Sequence, residues 1–166
     1  MTEDKNMEPA AGDPVQAVIN HTIKEVFKRV AGIEIRDCTI PHVMSQDLQV
    51  VYTTFSGGYE IRFAFYAEAK LWKRITENML DIQDAKEDDI EECAKEFVNI
   101  LCGHIVKSIF EKTKTAARFQ SPYFVKGNCI PGGSSDSSVV ATHYADEYFD
   151  MAILFNDQIS SAETLG

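Results

Sequence analysis

The feature that most narrows the possible fold is a change of hydrophobic period along the chain. Over residues 13–32 apolar positions recur at helical spacing: Val15, Val18, Ile19, Ile23, Val26, Phe27 and Val30. Asp13 and Pro14 serve as N-cap and first-turn residue, and Gly32 closes the run. From Ile33 to Tyr66 the period becomes two. Leu48, Val50 and Tyr52 alternate with polar neighbours, as do Tyr59, Ile61, Phe63 and Phe65, with Ser56, Gly57 and Gly58 as the turn between them. A weaker strand is expected within Ile33 to Val43, where Pro41 tolerates only an edge or a bend.

The helical period returns from Ala67 to Leu80, with Leu71, Trp72, Ile75 and Met79 inward, and an acidic turn follows at Asp81 to Asp89. The longest helix comes next. Asp88, Asp89, Glu91 and Glu92 lie near its start and Lys107, Lys112 and Lys114 near its end, the order that the helix dipole favours. Three further strands are expected at Tyr123 to Ile130, Val139 to Tyr144 and Tyr148 to Phe155, separated by a loop from Pro131 to Ser138 and a turn at Ala145 to Glu147. The order α-β-β-β-α-α-β-β-β predicts a single α+β domain over residues 13–157, with helices packed on an antiparallel sheet. Flexible tails are expected over residues 1–12 and 158–166, which lack an apolar period.

Composition removes several classes of function. Of 166 residues 45% are apolar and 25% charged, which suits one soluble core. The net charge of -10, without a Lys/Arg cluster interleaved with aromatics, argues against nucleic acid and anionic membrane as partners. Apolar stretches such as Met151 to Phe155 are too short to span a bilayer, and Thr2, Glu3 and Asp4 do not make a secretory leader, so a cytoplasmic protein is expected. Cys38, Cys93, Cys102 and Cys129 contain no Cys-x-x-Cys pair and read as buried thiols, not a disulfide framework or zinc site. His21, His42, His104 and His143 form no metal-ligand pattern, and His104 is expected to pack on the core side of its helix. Ser134, Ser135, Ser137 and Ser138 lack the His and Asp context of a nucleophile and read as loop. No metal or cofactor is expected on this chain.

At 100° per residue, Ile90, Ala94, Phe97, Leu101 and Ile105 centre one face of the long helix, flanked by Cys93 and Val98. Glu92, Glu96, Asn99 and Gly103 fall within an arc of about 60° on the opposite side. A glutamate on such a face usually means no more than solvation. Asn99 and Gly103 fit that explanation poorly, because Asn is a weak helix former and mid-helix Gly costs about 1 kcal/mol relative to Ala. Gly103 would allow another backbone to approach closely.

Glu96, two intervening residues, Asn99, and Pro122 after twenty-two more residues resemble the active-site pattern of the CheC, CheX and FliY family of chemotaxis phosphatases. The family's Asp or Ser four residues before the Glu is Glu92 here. The resemblance covers about Asp13 to Asn156, and the single copy of the motif is similar to the CheX type, whose members are homodimers. It implies a phosphatase acting on the aspartyl phosphate of a CheY-like receiver domain that carries its own divalent metal ion (Mg) and a lysine. By the same resemblance Glu96 would pair with that lysine and Asn99 would orient the attacking water, while Glu92, Gly103 and Pro122 would meet the partner. A receiver-binding adaptor that docks without catalysing is the alternative.

Overall fold

The computed structural model describes residues 14–38, 47–126, 139–148 and 150–159. In chain order these form α1 (Pro14–Ala31), β1 (Ile35–Asp37), β2 (Leu48–Gly57), β3 (Ile61–Glu68), α2 (Ala69–Leu80), α3 (Glu87–Thr113), β4 (Ala117–Phe119), β5 (Tyr123–Lys126), β6 (Val139–Asp146) and β7 (Met151–Asp157). All strand pairings are antiparallel, in the order β1-β6-β7-β3-β2-β4, and β5 also pairs with β2. The α+β class and the helix-on-sheet layering are those expected from the sequence.

Each boundary has a local cause. Pro14 opens α1, and Gly32, at φ +66°, closes it while the Ile33 N–H donates to the Phe27 carbonyl at 3.0 Å, a left-handed C-terminal stop. Asn78 on α2 donates to the Ala31 carbonyl at 2.7 Å, satisfying another acceptor at that end. Gly58 is needed for close approach: its N–H donates to the Ala116 carbonyl at 2.9 Å, and a Cβ there would lie 2.8 Å from the same oxygen.

One face of the sheet carries the main core. Val51, Phe55, Phe63, Phe65 and Leu154 point toward Ile19, Phe27, Leu71, Trp72, Phe97 and Leu101 of the three helices, all almost fully buried. The opposite face holds a second apolar cluster of Val50, Ala64, Tyr66 and Ile153, with Leu48, Tyr52, Val125 and Phe155 partly buried against it. The alternation along β2 and β3 thus puts apolar residues on both faces of the central strands.

Several details differ from the sequence reading; the last strand begins at Met151, not Tyr148, and Ala145 and Asp146 belong to β6, not to the turn. The strand expected at Tyr123 to Ile130 is β5 as far as Lys126, with residues 127–130 outside the described ones, and a short strand not expected from the sequence, β4, precedes it. β4 and β5 are two halves of one edge strand along β2, since Phe55 pairs with Phe119 and Tyr52 with Tyr123. Three residues, Gln120, Ser121 and Pro122, therefore face two, Thr53 and Thr54, as in a bulge. His104 is exposed, not packed in the core. Ile90 is only half-buried, whereas Cys102 and Ile109 extend the buried face toward the C-terminal end. Ile159, inside the expected tail, is 8% exposed and belongs to the core cluster. The Asp13 cap, the Pro41 bend and the Pro131 to Ser138 loop fall outside the described residues.

Candidate functional site

α3 is 27 residues long, about 40 Å at the standard rise. Its start is prepared by Asp89, whose carboxylate accepts the Lys86 N–H at 3.2 Å, and by Glu87, Asp88 and Asp89 in the first turn. Its end is a left-handed Lys114, whose N–H donates to the Phe110 carbonyl at 2.7 Å. Nine residues of helix before residues 96–99 and fourteen after them make that segment rigid.

The rotation of α3 is set by Phe97. Its ring lies 4.9 Å from Phe27 of α1 and 6.3 Å from Trp72 of α2, both edge-on, and Trp72 packs in turn on Phe65 of β3. The indole N–H of Trp72 donates to the Gln49 carbonyl at 3.0 Å, locking α2 to the sheet. With Phe97, Val98 and Leu101 fully buried, Glu96 and Asn99 must face outward, and both are exposed. Neither makes a hydrogen bond or ion pair with another described residue. Their Cα atoms are separated by about 4.5 Å along the axis and 60° around it, so the two side chains can reach one partner together.

Glu92 lies one turn earlier, with its carboxylate 3.3 Å from the Lys95 ammonium. Gly103 is half-buried, and nothing lies within 4 Å of where its Cβ would be. Packing inside the chain therefore does not require glycine there. Pro122 is half-buried in the β4–β5 bulge, where the Gln120 N–H donates to the Thr54 carbonyl at 3.1 Å and the Thr53 hydroxyl to the Gln120 carbonyl at 2.6 Å. Both half-strands run beside α3, and Lys126 of β5 pairs with Glu87 at 2.9 Å. Pro122 lies between these two half-strands, on the flank of α3. The structure thus gathers the stripe residues on one surface and sets Pro122 alongside.

Electrostatically, the first half of α3 is acidic. The Lys126 ammonium holds the Glu87 carboxyl below its ordinary range, and Glu87 in turn raises Lys126. Burial pushes the Cys93 thiol up, with Glu96 and Asp89 adding to the rise, and burial alone pushes Cys102 far up, so both are inert packing groups. Among the described residues no group of three or more His, Cys, Asp or Glu could hold a metal ion, and no helix is long and apolar enough to cross a membrane. The sequence reading missed Phe110, 48% exposed on the same stripe; its position five full turns after Glu92 was the available signal.

An outward Glu–Asn pair on a rigid helix can bind a cation and orient a water or hydroxyl. No curated protein matches the chain in sequence. In structure it is similar to the chemotaxis protein CheX of Desulfovibrio desulfuricans (14% identity, 88% of this chain and 99% of that one, TM-score 0.69). It is similar to the same degree to the CheX–CheY–BeF3–Mg2+ complex of Borrelia burgdorferi (11% identity, 89% and 98%, TM-score 0.69). FliY of Thermotoga maritima is also similar (15% identity, 90% and 87%, TM-score 0.61). These likenesses establish the fold. The family model described as chemotaxis phosphatase CheX matches residues 49–140, more than half of the sequence, and so the chain belongs to the CheX family.

Proposed function

We propose that this chain hydrolyses the aspartyl phosphate of a CheY-like receiver domain, with Asn99 as the water-orienting group and Glu96 as the anchor for the receiver's lysine. The observation that carries the reading is the exposed, internally unpartnered Glu96–Asn99 pair, held outward by the burial of Phe97. Family membership supports phosphatase activity, and CheX is seen bound to CheY in the Borrelia complex.

In this reaction water attacks phosphorus, the bond between phosphorus and the aspartyl oxygen breaks, and the products are phosphate and a free carboxylate. Such transfer depends on positioning and charge stabilisation more than on covalent help. The carboxamide oxygen of Asn99 accepts a hydrogen bond from the water, its NH2 is left to donate nearby, and its neutrality avoids repelling the phosphoryl oxygens. Glu96 contributes the opposite charge for a lysine, within an acidic half-helix that favours a cation. The divalent metal ion would come with the receiver.

A homodimer belongs to the same proposal: among the described residues the sheet ends at β1 and at β4–β5, and an open edge suits pairing with a second copy. Light scattering should give about twice the chain mass. The functional test is the decay of phosphorylated CheY-type receivers from the same genome, with and without this protein. Acceleration that Asn99→Ala abolishes supports the reading. Tight binding without acceleration would make the chain an adaptor, and no binding to any receiver would remove both.

A further inference from the structure

The long helix exposes more on its outward stripe than the Glu96–Asn99 pair. Phe110 lies eighteen residues, five whole turns, after Glu92, and about 20° from Asn99 and from Gly103 around the axis. The residue is 48% exposed, although the main core buries Phe27, Phe55, Phe63, Phe65 and Phe97 to 1% or less. Among the described residues its one ring contact is with the exposed Lys114, whose ammonium is 5.8 Å from the ring centroid. Between Asn99 and Phe110 sits Gly103, with empty space where its side chain would be. The stripe therefore presents a carboxylate and an amide, then a shallow notch, then an exposed ring about 17 Å from Asn99. Charge changes sign along it: Asp88, Glu92 and Glu96 at one end, Lys107 and Lys114 at the other.

We infer that Gly103 and Phe110 form a second recognition point for the receiver domain, one that selects among receivers. This rests on the function proposed above. The fitting partner surface is an element that lies close against the helix at Gly103 and sets an apolar side chain, flanked by carboxylates, on Phe110. The notch admits that element, and the ring gives it an apolar anchor that excludes water. Both features carry a cost in the free protein, since Gly weakens a helix and an exposed ring is poorly solvated, and among the described residues no packing contact requires the glycine and the core does not take up the ring.

The test uses the full chain and its phosphorylated CheY-type receiver, with the Mg2+ and beryllofluoride-loaded receiver for binding. Phe110→Ala should raise KM and weaken receiver binding by about tenfold, the scale of an interface anchor, and the loss should be overcome as the receiver approaches saturation. Gly103→Ala should raise Tm by roughly 2–4 °C through better helix propensity. It should nevertheless bind the receiver more weakly, a combination that misfolding cannot produce. If wild-type protein accelerates decay and Asn99→Ala abolishes this, while both variants bind normally, the recognition point is wrong and the proposed function stands. If Phe110→Ala changes the association state and not receiver affinity, the ring belongs to a contact between copies and the inference fails. A wild-type protein inert toward every receiver would overturn the function first, and this inference with it.

Discussion

Two polar clusters in this molecule are built on opposite principles. At the β6–β7 turn, Arg74 of α2 reaches Asp146 and Asp150, donating two hydrogen bonds to Asp150 at 3.0 Å and pairing with the second oxygen of Asp146. The other Asp146 oxygen accepts the N–H groups of Tyr148 and Asp150 at 2.9 Å, and the guanidinium also lies 4.7 Å from the Tyr148 ring centroid. Asp146 is 1% exposed, so this charge is acceptable only because it is paired inside the chain. On the stripe of α3, Glu96 and Asn99 are solvated and internally unpaired. The first cluster ties α2 to the far hairpin and contributes to holding the fold. The second leaves its hydrogen-bonding capacity to solvent, which keeps it available for the partner proposed above.

The contrast predicts that damage to the two clusters should appear in different measurements. The largest effect should come from Arg74→Met, which leaves the Asp146 carboxylate buried without its cation. Urea unfolding should show a loss of about 3 kcal/mol, while activity per folded molecule is kept. If activity fell in step with stability, the two clusters would not be separable.

Asn99→Ala should do the reverse. We expect phosphatase activity to fall by about a hundredfold or more, on the scale of removing one oriented catalytic group. Stability should hold or rise slightly, because Ala is the better helix former. A thermal melt beside the decay assay checks both halves, and near wild-type turnover would discard the mechanism.

Glu96→Ala should weaken receiver binding by about 1–3 kcal/mol, if its ion pair with the receiver is partly desolvated. Titration against the beryllofluoride-loaded receiver measures it. A variant that bound normally and failed only in turnover would move Glu96 from anchor to chemistry.

The smallest effect concerns pH. Burial pushes the Cys102 thiol and the Tyr144 hydroxyl up, so the fold favours their neutral forms. Their contribution is whole below the unfolded values, about 8.5 and 10, and is lost as pH rises toward and through the folded ones. Stability should drop by about 1 kcal/mol over the first pH unit above about 8.5 on account of Cys102. Denaturation curves from pH 7 to 10 test this, and Cys102→Ala should flatten the early part of the slope.

What could be read along the chain was whatever depends on near neighbours. α1, β2, β3, α2 and α3 follow from period, caps and turn residues within a few positions of one another. The outward stripe of α3 is legible for the same reason, because 3.6 residues per turn fix which side chains share a face. Glu96 and Asn99 could thus be placed together before any tertiary contact was known. His104 shows the limit of that reasoning. It lies near the border of the buried arc, and only the packing of α1 and α2 against α3 decides which borderline positions are covered.

The remaining features were decided by contacts distant in sequence. Three residues of β4 carry too little pattern to announce a strand, and they pair because β2 offers an open edge that β5, broken off by Pro122, does not fill. Ile159 is buried because β7 delivers it to the core, although its own neighbours read as a tail. The strand pairings that are not hairpins and the meeting of Arg74 with Asp146 and Asp150 depend on separations of sixty residues or more, where local propensity is silent and burial of the common core selects the arrangement. The sequence by itself determined which residues form the candidate site. The tertiary structure decided that the site stands open, because Phe97, clasped by Phe27 and Trp72, turns that face of the helix to solvent.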